Sequence, residues 1–408
     1  MASDQRARLR PSWVLLGPAF VAAIAYVDPG NVAANVSAGA QFGYLLVWVI
    51  VVANAMACLV QYLSAKLGLV SGLSLPEAVG GQMRRRSRLA YWLQAELVAM
   101  ATDLAEVVGG AIALYLLFDL PLLTGGVITG VVSLLLLVVK DRRGQQMFER
   151  VITGLLLVIA IGFLTSLFVA PPPAAEVAGG LLPKFAGTES VLLAAAMLGA
   201  TVMPHAVYLH SGLTRDRHGH PEPGPMRRML LRATRWDVGI AMVVAGAVNL
   251  SMLLVAATNL QGQDDTDSIE GAHAAVQHTL GTTVALLFAI GLLASGLASS
   301  SVGAYAGAMI MQGLLHRAIP LLVRRLITLT PALVILAIGL DPTRALVLSQ
   351  VVLSFGIPFA LIPLVRLTSS RRLMGEDVNH RVTTALGWIV AGLITLLNVV
   401  LIYLTVTG

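Results

Sequence analysis

The stretch AYVDPGNVAANV, residues 25–36, interrupts an apolar segment that runs from Trp13 to Val27 and resumes at Val32. It places an acid, a proline, a glycine and an amide at four consecutive positions, 28–31. Each of these is costly inside a membrane helix, because polar groups and freed backbone groups find no partner in hydrocarbon. A turn between two short helices is the simpler alternative. We interpret the stretch as a functional break within one membrane-spanning helix.

The composition indicates that this chain lies in a lipid bilayer. Hydrophobic residues make up 57% of the chain and charged residues 12%, with a mean hydropathy of +0.83, whereas soluble domains carry about 25% charged residues. A membrane helix needs about 20 predominantly apolar residues. The sequence therefore predicts an all-α integral membrane protein of one domain, residues 1–408, with eleven transmembrane helices at 12–40, 43–65, 88–117, 122–139, 151–170, 188–213, 236–257, 282–313, 319–340, 343–365 and 382–406.

The basic residues predict the orientation of these helices. With the N-terminus in the cytoplasm, all but two of the 27 Lys and Arg residues fall on the inner side, the exceptions being Lys184 and Arg344. This matches the positive-inside rule and predicts a multi-pass protein of the cell membrane whose C-terminus lies outside. The net charge of +6 is then a topological signal and indicates no nucleic-acid partner. A cleaved signal peptide is disfavoured, since the apolar run continues through residues 28–31 without a small-residue cleavage site.

A second interruption, GATVMPHAVYLH at residues 199–210, places Pro204 and His205 inside the sixth predicted helix. The two interruptions are five helices apart, so their helices run in opposite directions. This predicts a LeuT-type inverted repeat of five plus five helices in which helices 1 and 6 are discontinuous. Repeat one covers about 12–170, repeat two about 188–365, and an extra helix covers 382–406. Paired interruptions of this kind mark the central site of a secondary transporter.

The residues at the two interruptions predict a cation site. Asp28 offers a carboxylate, Asn31 an amide oxygen, the backbone near Ala200 a carbonyl and Met203 a thioether. Three oxygens suit any small cation, but a sulfur ligand favours softer transition metals over Mg²⁺ or Ca²⁺. Taken alone, Met203 is better explained by core packing. The combination favours Mn²⁺ or Fe²⁺.

These motifs resemble those of the Nramp divalent-metal transporters, which carry DPGN in the first helix and MPH in the sixth. The segments GATVMPHAVYLHS, ATDLAEVVGGAIAL and LASGLASSSVGAYAGAMIMQG resemble Nramp segments in the expected order, so the resemblance covers nearly the whole chain. It implies metal ligation by the residues already named at the two breaks, and it adds Gln350 of the tenth helix. One departure is Ala308, where the family usually has Gln.

The third predicted helix contains three carboxylates, Glu96, Asp103 and Glu106, within QAELVAMATDLAEVV. Ionisable residues are expensive inside a membrane and by default mark an ion or proton path, and this spacing puts them near one helix face. The alternative is a static salt-bridge network that only holds helices together. The resemblance to Nramp implies that His205 and the pair Arg324 and Arg325 are the partners of these carboxylates. The implied proton path runs through seven ionisable residues: Asp28, His205, Glu106, Asp103, Glu96, Arg324 and Arg325.

The sequence therefore predicts a monomeric secondary transporter, without a resident cofactor, that imports Mn²⁺, Fe²⁺ and similar ions together with protons. The alternative is a sodium- or proton-coupled amino-acid symporter of the same fold, which has no use for the Met203 sulfur. An enzyme is disfavoured, because the sequence has no nucleophile–base constellation and no phosphate-binding loop.

Overall fold

A computed structural model of the chain describes residues 17–262, 268–316 and 319–407. These residues form α-helices and three short 3₁₀ turns at 25–27, 43–46 and 375–377, with no strand among them. The helices are, in order, α1 Pro18–Ile24, α2 Pro29–Phe42, α3 Val47–Ser71, α4 Leu75–Gly80, α5 Arg85–Phe118, α6 Leu122–Arg143, α7 Gln145–Val169, α8 Ala174–Gly179, α9 Gly187–Thr201, α10 Pro204–His218, α11 Pro225–Asn259, α12 Ile269–Leu280, α13 Thr282–Leu315, α14 Leu321–Ile338, α15 Pro342–Thr368, α16 Arg371–Met374 and α17 Arg381–Thr407. The predicted all-α class is confirmed.

Apolar helical segments long enough to cross a membrane account for most of the described chain. Eight such segments occur within it: Pro29–Ser71, Arg85–Phe118, Gln145–Val169, Gly187–His218, Pro225–Asn259, Thr282–Leu315, Pro342–Thr368 and Arg381–Tyr403. Pro18–Val27 and Leu122–Val138 are shorter apolar helices. The start of the first predicted helix, residues 12–16, and the basic residues before it and at 317 lie outside the described residues.

Several helices extend beyond the predicted apolar segments. The third begins at Arg85 rather than at 88, and the seventh at Pro225 rather than at 236. Hydropathy marks only the hydrocarbon crossing, whereas backbone hydrogen bonding continues into the polar flanks. The helix α12 lies in a segment that we expected to be a loop, and it is capped by Ser268, whose hydroxyl accepts from the Gly271 amide at 3.0 Å.

Both predicted breaks are confirmed. The first follows α1 at Asp28, which is extended (φ −70°, ψ 168°), and α2 starts at Pro29. The second follows Thr201, with Met203 extended (φ −71°, ψ 120°) before α10 starts at Pro204. Proline suits the first helical position because its missing amide hydrogen would have no intrahelical partner there. The prolines therefore help to restart both helices.

The helix α5, which carries the three carboxylates, packs directly against the first break. A Cβ at Gly109 of α5 would collide with the ring of Pro29. On another side of α5, a Cβ at Gly296 of α13 would lie 2.9 Å from the Gly110 nitrogen. Small residues in these two helices therefore permit a close approach, and the small-residue pattern of α13 serves helix packing.

Candidate functional site

The backbone carbonyls freed at the first break are bonded by side chains from two other helices. Asn249 of α11 donates its side-chain amide to the Tyr26 carbonyl at 2.7 Å. Ser295 of α13 donates its hydroxyl to the Val27 carbonyl at 2.5 Å. Buried carbonyls need such partners where water is excluded. The sequence did not single out Ser295, because its small-residue surroundings are fully explained by packing.

The two breaks meet through a chain of hydrogen bonds. Oδ1 of Asp28 accepts from both the backbone amide and the Nδ2 of Asn31, each at 2.8 Å. The same Nδ2 donates to the Ala200 carbonyl at the end of α9, at 2.9 Å. All three residues are buried. Asp28 thus caps α2, while Asn31 links that helix end to the other break.

Three side-chain oxygens in this region are buried and have no hydrogen-bond partner among the described residues. They are Asp28 Oδ2, Asn31 Oδ1 and Gln350 Oε1. The Gln350 amide lies against Gly30, since a Cβ at that glycine would collide with it. Met203, also fully buried, immediately precedes α10. An unpaired buried oxygen costs about 1–3 kcal/mol, so three of them on helices that meet at the breaks indicate a ligand site.

The donor types in this site distinguish it from a classical histidine or carboxylate metal centre. No group of three or more His, Cys, Asp or Glu residues suited to a metal occurs in the described part of the chain. Only Asp28 brings a formal charge to the predicted set, and the other donors are neutral oxygens and the Met203 sulfur. A single carboxylate among neutral donors attracts a cation less strongly than several carboxylates would.

The carboxylates of α5 and the arginines of α14 form two ion pairs, of which Asp103–Arg325 is buried and Glu96–Arg324 partly buried. Arg324 Nη2 lies 2.9 Å from Glu96 Oε1, and Arg325 Nη1 lies 2.5 Å from Asp103 Oδ1. The Arg325 guanidinium also donates to the hydroxyls of two serines, Ser133 at 2.7 Å and Ser300. The structure therefore brings together four of the seven residues predicted for the proton path.

Of the other three path residues, Asp28 lies at the first break, and His205 and Glu106 form no ion pair within the described ranges. Thr102 donates its one hydroxyl hydrogen to the Val98 carbonyl at 3.1 Å, so it accepts from His205 Nδ1 at 3.2 Å. That assignment leaves His205 Nε2 as the proton acceptor of a neutral ring. His205 thus bonds to Thr102 instead of to a carboxylate of α5, and adjacent positions 102 and 103 point about 100° apart on a helix. Neither Nε2 nor the Glu106 carboxylate has a hydrogen-bond partner in the described ranges.

Two discontinuous helices that meet at a buried carboxylate define a membrane transporter with a central substrate site. The family model for Nramp, "Natural resistance-associated macrophage protein-like", matches residues 19–404. The chain is 74% identical over 408 residues to the "Divalent metal cation transporter MntH" of Mycobacterium tuberculosis (strain ATCC 25618 / H37Rv), covering 100% of this chain and 95% of that relative. This chain belongs to the Nramp family and is a transporter rather than an enzyme.

Solved structures agree with this assignment. The fold is similar to that of a manganese transporter of Eremococcus coleocola, with a TM-score of 0.85, 32% identity and coverage of 98% of this chain and 88% of that chain. It also resembles a nucleobase-cation-symport-1 family transporter in a closed conformation, with a TM-score of 0.59, 16% identity and coverage of 96% and 93%. The second likeness concerns the fold alone. The substrate therefore has to be argued from the site.

Proposed function

We propose that this protein imports divalent transition metal ions, Mn²⁺ and Fe²⁺ among them, across the cell membrane together with protons. The observation that carries the proposal is the group of buried oxygens around the two breaks that have no partner among the described residues, together with the buried Met203 that precedes α10. Relatives with the same fold are named for divalent metal cations and for manganese. A thioether among oxygen donors favours these metals over Ca²⁺ and Mg²⁺.

The contacts of Asn31 support a cation site between Asp28 and Ala200. Its Nδ2 bridges the Asp28 carboxylate and the Ala200 carbonyl at 2.8 and 2.9 Å, so polar hydrogens lie where a cation would bind both oxygens. Rotation of the amide by 180° would turn Oδ1 towards that point. In this arrangement Asp28, Asn31, Ala200 and Met203 ligate the metal, and Gln350 approaches it from α15.

For the whole chain, the proposal includes eleven membrane crossings in a single domain. In this scheme α1 with α2 forms the first crossing and α9 with α10 the sixth. The crossings of residues 12–170 and 188–365 form the two inverted repeats, and α17 is the extra helix. The N-terminus lies in the cytoplasm and the C-terminus outside, and the protein is a monomer whose other partners are protons and the bilayer.

The proton path of the proposal runs from the metal site along α5 to the ion pairs with α14. Glu106 lies close enough to Asp28, Asp103 and Arg325 for their charges to act on it. Its unpaired carboxylate, together with His205 Nε2, offers two places where a proton can be held between the metal site and the paired residues. The path is completed by two ion pairs, Asp103 with Arg325 and Glu96 with Arg324. A purely structural role for these pairs is the competing explanation.

Uptake by purified protein in proteoliposomes tests the substrate. We expect Mn²⁺ uptake that an inward proton gradient accelerates and a sodium gradient does not, with Ca²⁺ and Mg²⁺ competing poorly even in excess. The amino-acid symporter alternative instead requires uptake of an amino acid driven by sodium or protons, with no Mn²⁺ transport. Absence of Mn²⁺ uptake from correctly inserted protein would contradict the proposal.

Substitution of His205 or Glu106 by Gln tests proton coupling. We expect the proton flux that accompanies Mn²⁺ to fall by about tenfold or more, because positioned groups speed proton transfer strongly. Mn²⁺ affinity should change little, since neither residue is a proposed ligand. The exposed Glu189 provides a matched control as Glu189→Gln. Loss of Mn²⁺ affinity with normal proton flux would rule out this path.

A further inference from the structure

The segment just before and at the start of α5 contains four arginines within five residues, Arg84, Arg85, Arg86 and Arg88, which we term the α5 arginine cluster. The first three are exposed and the fourth is half-buried. In the described part of the chain, none of the four forms an ion pair with a carboxylate. The cluster is therefore a concentrated positive charge that no described carboxylate neutralises.

Several other basic residues on the proposed cytoplasmic side of the protein are neutralised by carboxylates. Arg227 pairs with Asp377 at 3.2 Å. Arg215 pairs with Glu77 and, at 2.8 Å, with Asp216. The positive-inside rule requires basic residues on this side of the membrane, but it does not require them to be concentrated beside a cavity.

Such a cavity lies between the start of α5 and the end of α13. Its volume is about 280 Å³, and it is lined by Arg85, Arg88, Leu89 and Leu315. Arg88 Nη1 lies 3.3 Å from His316 Nε2. The Nε of Arg88 is buried and donates to no acceptor among the described residues. A buried guanidinium hydrogen without an acceptor needs an explanation, and a bound anion supplies one.

We propose that this cavity binds the phosphate headgroup of an anionic phospholipid in the inner leaflet. Arginine matches phosphate through two parallel hydrogen bonds, and arginine clusters next to a membrane helix attract anionic lipids. The two leucines give the cavity an apolar wall beside its charged one, which suits a molecule with a charged head and an acyl tail. Because α5 crosses the membrane, the cluster lies where such headgroups are present.

The test is a lipid titration of the full-length protein in detergent, followed by native mass spectrometry. The probes are phosphatidylglycerol and phosphatidylcholine of equal chain length. The test variant is Arg85→Ser with Arg88→Ser, and the matched control is Arg371→Ser with Arg372→Ser. Both variants lose two positive charges. The control pair is exposed and forms no ion pair within the described ranges.

We expect phosphatidylglycerol to bind the wild type more tightly than phosphatidylcholine. Each arginine near an anionic surface is worth about a fivefold change in affinity, so the test variant should lose about 25-fold. The control variant should lose about twofold or less. Arg88→Lys keeps the charge but loses the two parallel hydrogen bonds, and should lose an intermediate amount. The Arg88→Lys variant also tests the proposal if the double variant does not fold.

Three results would overturn the proposal. Equal losses in the test and control variants would mean that the lipid responds only to overall charge. Equal affinity for the two lipids would mean that the headgroup is not recognised. Competition by soluble glycerol phosphate at the same concentration as the lipid would mean that the cavity binds a free anion. The readout does not depend on metal transport, so its failure is distinguishable from failure of the proposed function.

Discussion

The two breaks and the contact between α5 and α14 are both buried clusters of polar side chains, but their hydrogen bonding differs. At the breaks, Asp28, Asn31 and Gln350 each keep one oxygen without a partner in the described part of the chain. Between α5 and α14, Asp103 is paired with Arg325, which two serines also bind. Unpartnered oxygens suit a ligand that is exchanged, whereas paired charges hold helices in place. The two regions should therefore respond differently to the same chemical change.

Removing the charge at the break should have the largest effect. Asp28→Asn keeps the shape of the side chain but leaves a divalent ion facing neutral dipoles in a site of low dielectric constant, so Mn²⁺ uptake should fall by about a thousandfold or more. Initial uptake rates in proteoliposomes measure this loss. The same exchange at the exposed Asp119 should leave uptake unchanged. Near-normal uptake by Asp28→Asn would remove this residue from the ligand set.

Removing a charge between α5 and α14 should instead reduce stability. Asp103→Asn leaves the buried Arg325 charge uncompensated, and breaking a buried pair in this way costs about 3–5 kcal/mol. Glu106→Gln, on the same helix, removes a carboxylate that has no such partner and should cost little. Thermal unfolding in detergent compares the two variants. Equal losses would show that the difference in pairing does not govern stability.

Truncating the sulfur at the second break should change selectivity more than rate. Met203→Ala leaves an oxygen-only ligand set, so Ca²⁺ should compete with Mn²⁺ about tenfold better while Cd²⁺ competes less well. Mn²⁺ itself accepts water in place of sulfur and should retain most of its uptake. Competition curves for the two ions against Mn²⁺ give the ratio of their inhibition constants. An unchanged ratio would mean that Met203 only packs beside the site.

The half-buried ion pair between Glu77 and Arg215 should give the smallest effect. Burial acts to raise the pKa of Glu77, but hydrogen bonds from Ser74 and the nearby Arg215 outweigh it and lower the pKa below its usual value. A lowered pKa in the folded state contributes stability at neutral pH that is lost as the pH falls through that value. Glu77→Gln should therefore lower the unfolding temperature slightly at pH 7, and the difference should narrow in acid. If the difference in unfolding temperature did not change with pH, the charge of Glu77 would not be its source.

The sequence predicted the parts of the site that violate the rules of a membrane helix. Asp28, Pro29, Pro204 and His205 interrupt apolar segments, so both breaks were visible without a structure. The partners that stabilise the first break, Asn249 and Ser295, could not be found in this way. Their pairing joins positions 223 and 268 residues apart, and a serine among small residues has no periodicity of its own.

The charged residues of α5 show the same limit. Their presence and approximate face followed from spacing, and arginine partners were expected from the resemblance. Which carboxylate stays unpaired depends on how α5 is turned against α10 and α14, and a rotation of one position decides it. Thr102 therefore bonds to His205, where we expected a carboxylate. Helix α12 was missed for a simpler reason, because its twelve residues are too short to register as a membrane crossing.

The bonds from Asn249 and Ser295 to the first break also bear on how fast the protein can work. Any movement of α1 relative to α11 and α13 has to break both hydrogen bonds. Each buried carbonyl that then lacks a partner costs about 1–3 kcal/mol. Since about 1.4 kcal/mol in a barrier slows a step tenfold, these two side chains alone are enough to slow such a movement by about a hundredfold. Slow turnover would then follow from the two bonds that hold the broken helix in place. The time between successive transport events would be determined by two hydrogen bonds whose side chains are not metal ligands.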